Sequence, residues 1–221
     1  MTPFRAILEM QWARARIVVI LCALIAFGLP AYIAGQRYVD TGGWYGNWTF
    51  WLETGEMLGR GFPLLALGLG LGLGVLSWSD DQRMGHVYAL TLPQSRERYV
   101  LMRFAAGGLL MLIPVAALLL GASAAAAVVE LPPGVNAYPV ALSTRFGLAT
   151  LTCYTVFFAL AVATRRAARL MALVLVLLVV GELALMMFGG SFSLFDSVLA
   201  GITRWPSPFV LLTGRWALFD V

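Results

Sequence analysis

Long uninterrupted runs of apolar residues, separated by short polar segments, dominate the pattern along this chain. A helix crossing the hydrocarbon core of a bilayer needs roughly 20 apolar residues. A transmembrane barrel would instead show alternating segments of about 10 residues, and these continuous runs do not fit it. The pattern predicts an all-α integral membrane protein with five transmembrane helices, at about 17–34, 61–78, 100–129, 146–164 and 170–188. Pro114 is expected to kink the third span.

The segments outside these runs have distinct characters. In residues 1–16, Phe4, Ile7, Leu8, Trp12 and Ala15 fall on one side at helical spacing, with Arg5, Glu9, Arg14 and Arg16 around the rest. That is the pattern of an amphipathic helix lying in the membrane interface, and it is too polar for a signal peptide. The loop 35–60 carries Trp44, Tyr45, Trp48 and Trp51, residue types that favour the headgroup level. Residues 189–221 are divided by Asp196, Arg204, Pro206, Pro208, Arg215 and Asp220 into runs too short to span. They read as an outer interfacial or re-entrant segment anchored by Trp205 and Trp216, with a sixth span either absent or lying beyond this sequence.

Charge gives the expected orientation. With the N-terminus inside, ten arginines fall in cytoplasmic segments and five in outer ones, and Arg165, Arg166 and Arg169 share one short loop. The excess of basic residues on cytoplasmic loops therefore favours a multi-pass protein of a bacterial-type cytoplasmic (inner) membrane, N-terminus inside. The same clustering at helix ends explains the net charge of +4 without nucleic acid.

Only 12% of the residues are charged, whereas 61% are hydrophobic, against about a quarter charged in a soluble domain. All 15 basic residues are arginine. A phosphate-binding P-loop requires a lysine that reaches the terminal phosphates, so this chain carries no such ATP site. Cys22 and Cys153 both sit inside apolar runs and read as small buried hydrophobes rather than a disulfide.

Candidate chemistry is sparse. His86 is the single histidine, so no histidine-based triad or metal constellation can be assembled, and no metal site is expected. Asp80 and Asp81 are neighbours, which do not face one another on a helix. Ser123, Thr150, Thr152 and Tyr154 are the other polar groups within the spans. Glu182, in the outer part of the fifth expected span, is an ionisable group whose placement at depth is costly and points to function; Arg145 is its expected partner. An interfacial carboxylate is the competing reading. In the second span, Gly68 with Gly72 and Gly70 with Gly74 form small-residue pairs that let helix backbones approach closely. Such pairs serve equally within one fold, at a dimer seam, or in a mobile span.

The loop between the second and third spans holds the most distinctive residues. A short amphipathic helix is expected from Asp81 through Gly85 and His86 to Leu90, broken at Pro93 and restarted near Ser95, which can cap it. The result is a compact helical elbow flanked by charge. The pattern of Asp81, Gly85, Leu90, Leu92, Pro93, Ser95, Arg96 and Arg103 resembles the membrane subunits of type-2 ATP-binding-cassette (ABC) exporters. That resemblance implies that the elbow is a coupling helix docking on a soluble ATPase, through Asp81, Gly85, His86, Leu90, Leu92, Pro93, Ser95, Arg96 and Glu97. It also implies that the N-terminal amphipathic helix is the family's connecting helix, and that the domain of spans occupies 17–188. The family has six spans, one more than the expected count here.

The implied function is translocation of a hydrophobic or amphipathic substrate by alternating access, with this chain not itself an enzyme. ATP and magnesium would be bound by the partner ATPase, present in two copies. A second membrane subunit, identical or homologous, and membrane lipids complete the expected partners. A non-transporting scaffold or accessory subunit is the alternative, followed by an intramembrane enzyme.

Overall fold

The computed structural model describes residues 3–40, 61–83, 95–128, 136–163, 170, 173–174, 176–177, 180–181, 208–212, 216 and 218–220. In chain order the elements are α1 (Pro3–Asp40), α2 (Gly61–Arg83), α3 (Arg96–Val128), a short strand β1 (Asn136–Ala137), α4 (Pro139–Ala163), a 3-10 helix (Pro208–Leu212) and β2 (Phe219–Asp220). Helix α1 opens with Pro3, at the position where a missing N–H has no intrahelical partner to lose. It then runs through residue 16 without interruption, so the amphipathic N-terminal segment and the first apolar run are one helix. Both α1 and α3 continue past an internal proline, Pro30 and Pro114, and each proline is buried against the bundle.

Four helices among the described residues are long and apolar enough to cross a membrane: Pro3–Tyr32, Gly61–Trp78, Arg96–Val128 and Pro139–Val162. This corrects the expected five. Most of the region of the fifth, at 170–188, lies outside the described residues, and no helix of spanning length is described there. An apolar run meets the compositional requirement for spanning, which is not by itself a helix of spanning length. The chain is thus a bundle of long apolar helices, as in a membrane protein. Large apolar side chains such as Ile17, Leu21 and Leu24 on α1 and Leu101, Leu112 and Leu120 on α3 face outward.

The helices do not pair in sequence order. The most extensive packing joins α1 to α3 and α2 to α4. Gln11 reaches Arg103 near one end of α1, and Phe27 lies on Gly121 towards the other, so α1 and α3 run parallel. Gly70 lies against Cys153 and Gly74 against Phe157, so α2 and α4 are also parallel. The two pairs meet head to tail: Leu29 and Val18 of α1 pack on Gly61 and Gly72 of α2, while Val115 of α3 packs on Gly147 of α4.

The last described residues return to the N-terminal end of α4. Strand β2 pairs antiparallel with β1, with Asn136 opposite Asp220 and Ala137 opposite Phe219. The Tyr138 N–H donates to the Leu218 carbonyl at 2.9 Å, immediately before α4 begins. Trp216 is buried there, its ring stacked on Phe62 of α2 at a centroid distance of 6.4 Å. Ala163, at the other end of α4, is far from this cluster along the helix.

Candidate functional site

The four helices converge on Arg103, in the second turn of α3. Its side chain is 1% exposed, an uncommon state for a cation. The guanidinium donates through Nη1 to the Ser77 carbonyl of α2. Its carbon lies 5.1 Å from the Trp78 ring centroid and 4.9 Å from that of Tyr99. Aromatic faces attract a desolvated guanidinium by about 2 kcal/mol, and a carbonyl acceptor adds a charge-assisted hydrogen bond. The Arg103 main chain is held as well: Gln11 Nε2 of α1 donates to its carbonyl at 3.1 Å. From α4, the Tyr154 hydroxyl donates to the Phe104 carbonyl at 3.1 Å, with the Arg103 carbonyl at 3.5 Å. One residue therefore touches α1, α2 and α4 through polar contacts while belonging to α3.

An aromatic cluster surrounds this hub. Trp78 meets Tyr99 edge-on and packs on Phe158 at 5.4 Å; Phe104 stacks on Tyr154 at 5.2 Å, and Tyr154 lies 5.5 Å from Phe158. Ring pairs in this range contribute about 0.5–1.5 kcal/mol beyond area burial. The hub is thus rigid, formed by five aromatic rings and a buried cation at the junction of four helices.

Gly70 and Gly74 make the tight contact between α2 and α4. A Cβ at Gly70 would come within 2.8 Å of the Tyr154 backbone nitrogen, and one at Gly74 within 2.9 Å of that of Phe158. The pair is therefore a seam within this fold, which answers a question the sequence leaves open. The other pair divides: Gly72 faces Val18 of α1, whereas nothing lies within 4 Å of a Cβ at Gly68.

Asp81 lies in the last turn of α2, and Ser95 stands immediately before α3, exposed, with its carbonyl accepting the Tyr99 N–H at 3.1 Å. Arg96 and Glu97 are exposed in the first turn of α3, where the carboxylate of Glu97 complements the positive end of the helix dipole. Gly85, His86, Leu90, Leu92 and Pro93 lie outside the described residues, as do Glu182, the aromatic loop residues from Trp44 to Trp51 and the basic turn Arg165 to Arg169. Arg145, half-buried in α4, has its guanidinium 4.7 Å from the Trp216 ring centroid.

Other polar groups within the helices are used locally. Ser143, Thr150, Thr152 and Thr155 each donate to the carbonyl four residues back, a bond that satisfies a hydroxyl without a partner helix. The sequence pattern marked Arg103 as a basic residue at the start of a span and as the last residue of the elbow pattern, not as a buried hub, and gave Gln11 no role. The signal was present: Ile7, Gln11, Ala15 and Val19 recur every fourth residue, and all four are buried. The apolar face drawn from helical spacing included Ile7 and Ala15 but also Trp12, which is 36% exposed.

Comparison with known proteins finds no family model, no curated protein and no solved structure that matches this chain.

Proposed function

We propose that this chain is the membrane subunit of an ATP-driven exporter, moving a hydrophobic or amphipathic substrate by alternating access on energy from a separate ATPase. The observation that carries this reading is the position of the Arg103 hub beside the two helix ends, at Arg83 and Arg96, between which the expected elbow lies in the chain. Arg83 ends α2 and Arg96 begins α3, so the residues between them enter and leave the bundle at the hub. The guanidinium bonds to Ser77 and lies on Trp78, a turn or two before the elbow begins. A push on the elbow would reach α2 and α3 together through this clamp, then α1 through Gln11 and α4 through Tyr154. Motion transmitted to packed helices in this way moves them as rigid bodies, because close-packed cores deform little.

On this reading the elbow docks on the ATPase, which binds ATP and magnesium, and the exposed Arg96 and Glu97 are its charged contacts. The absence of lysine keeps the nucleotide chemistry on the partner. The N-terminus, the elbow and the hub would face the cytoplasm, and a second membrane subunit would complete the path.

Co-purification from native membranes tests the class. A stoichiometric soluble ATPase is expected with the wild-type chain, and the double substitution of Arg96→Ala with Glu97→Ala is expected to leave ATP hydrolysis running while substrate transport stops. A chain that purifies without an ATPase, or a double variant with unchanged coupling, would move the assignment to an accessory subunit.

A further inference from the structure

Beside the hub, where α1, α2 and α3 meet, a cavity of about 10 Å³ is lined by Gln11, Ala15, Leu73, Leu76, Ser77 and Leu110. This is space for about one water molecule. We infer that it is a hydration site, in which a single water donates one proton to Gln11 Oε1 and the other to Ser77 Oγ.

The polar chemistry of the lining selects this ligand. Gln11 is 5% exposed, and its Nε2 donates to the Arg103 carbonyl at 3.1 Å. A carbonyl only accepts, so the amide nitrogen must face it, and the orientation of the whole side-chain amide is fixed. Oε1 is then turned away from that bond, buried, and without a hydrogen-bond partner among the described residues. Ser77 gives its only proton to the Leu73 carbonyl at 2.7 Å, so its oxygen, which also neighbours the Tyr154 hydroxyl, is left with acceptor capacity only. The pocket thus presents acceptors and needs a donor. A hard cation would require about six oxygen ligands, more than the lining supplies. An anion would meet two lone-pair oxygens. Water carries two protons and fits the space.

The four apolar residues of the lining hold such a water in place without competing for its protons. The arrangement also joins helices whose glycine contacts, Leu29 on Gly61 and Val18 on Gly72, are apolar. Gln11 belongs to α1 and Ser77 to α2, so the water completes a polar bridge between them, and the Gln11 amide passes it on to α3. Water is exchangeable, so this polar link can break and reform without a side chain changing rotamer.

A structure of the full chain in lipid, at a resolution that shows ordered solvent, tests the site directly. The expected result is a density peak within hydrogen-bond reach of both Gln11 Oε1 and Ser77 Oγ; an empty pocket overturns the proposal. Where such a map is not reached, two substitutions decide by sign. Ser77→Ala keeps room for the water and costs it one acceptor, whereas Ser77→Val fills the space and strands the Gln11 oxygen. Ser77→Val is expected to unfold at a lower temperature than Ser77→Ala. Filling a dry cavity removes a void and stabilises, so a Ser77→Val protein at least as stable as Ser77→Ala would overturn the hydration site.

Discussion

The hydroxyl of Tyr154 occupies the space that a Cβ would take at Gly107, and from there it donates to the Phe104 carbonyl at 3.1 Å. Glycine at 107 is therefore the condition for the α3–α4 polar contact. Overpacking a well-filled site costs about 1–3 kcal/mol, and Gly107→Ala is expected to destabilise within that range in thermal unfolding. Tyr154→Phe removes the bond without adding volume and should cost about 1 kcal/mol. The double variant should recover part of the Gly107→Ala loss, because the colliding oxygen is gone. Strict additivity of the two effects would refute the steric account.

The glycines of α2 make a graded series. At Gly70 and Gly74 a Cβ meets the backbone of α4, which cannot move aside without separating the helices. At Gly68 it meets nothing, and alanine should gain about 0.5–1 kcal/mol from its lower conformational entropy cost in a helix. Unfolding midpoints should therefore rise for Gly68→Ala and fall for Gly70→Ala and Gly74→Ala. A uniform effect at the three positions would contradict the placement of the seam.

Arg103 separates charge from shape. Arg103→Lys keeps the positive charge but loses the planar group that lies against Trp78 and Tyr99. Arg103→Met keeps much of the apolar stem and loses the charge. Both are expected to lower stability, Arg103→Met by about 2 kcal/mol or more. Rescue to wild-type stability by lysine would show that charge alone matters at the hub.

Trp216 pins the last described residues to the bundle. Truncating a buried tryptophan costs about 3–5 kcal/mol, but here much of the change should be local. Trp216→Ala is expected to speed hydrogen exchange at the Tyr138 amide, which donates to Leu218, more than at amides in the middle of α4. Equal protection of both would mean that Trp216 supports the whole bundle.

The apolar runs made the four observed helices legible, with ends displaced where polar residues continue a helix, as at Arg5 to Arg16 in α1 and Ser79 to Arg83 in α2. Run length gave apolar stretches and not helices, and the expected fifth span, at 170–188, is the one with no helix of spanning length among the described residues. The Gly70–Gly74 spacing announced a close approach but not its partner, because a four-residue period describes one helix face and is silent about what lies opposite. The hub was the least legible feature. Arg103 and Gln11 are polar, and hydropathy assigns polar residues to the surface. Their burial follows from acceptors and aromatic rings contributed by residues far away in the chain, such as Ser77, Trp78 and Tyr154. The C-terminal anchoring was half visible: tryptophan was expected to hold an interface, but the partners of Trp216, Phe62 and Arg145, were not.

The interleaved pairing also sets an order of events during biogenesis. Helices in a membrane associate after insertion, through packing and hydrogen bonds rather than a hydrophobic force. The helix made first, α1, has its main partner in α3, and α2 has its main partner in α4. The ribosome therefore delivers two helices with little to hold each other before either proper partner exists. Until α3 arrives, Gln11 is a lone amide in a newly inserted helix, and until α4 arrives the glycine face of α2 is open to any other helix nearby. The sequence commits α1 and α2 to wait in the membrane for main partners made later, α3 and α4.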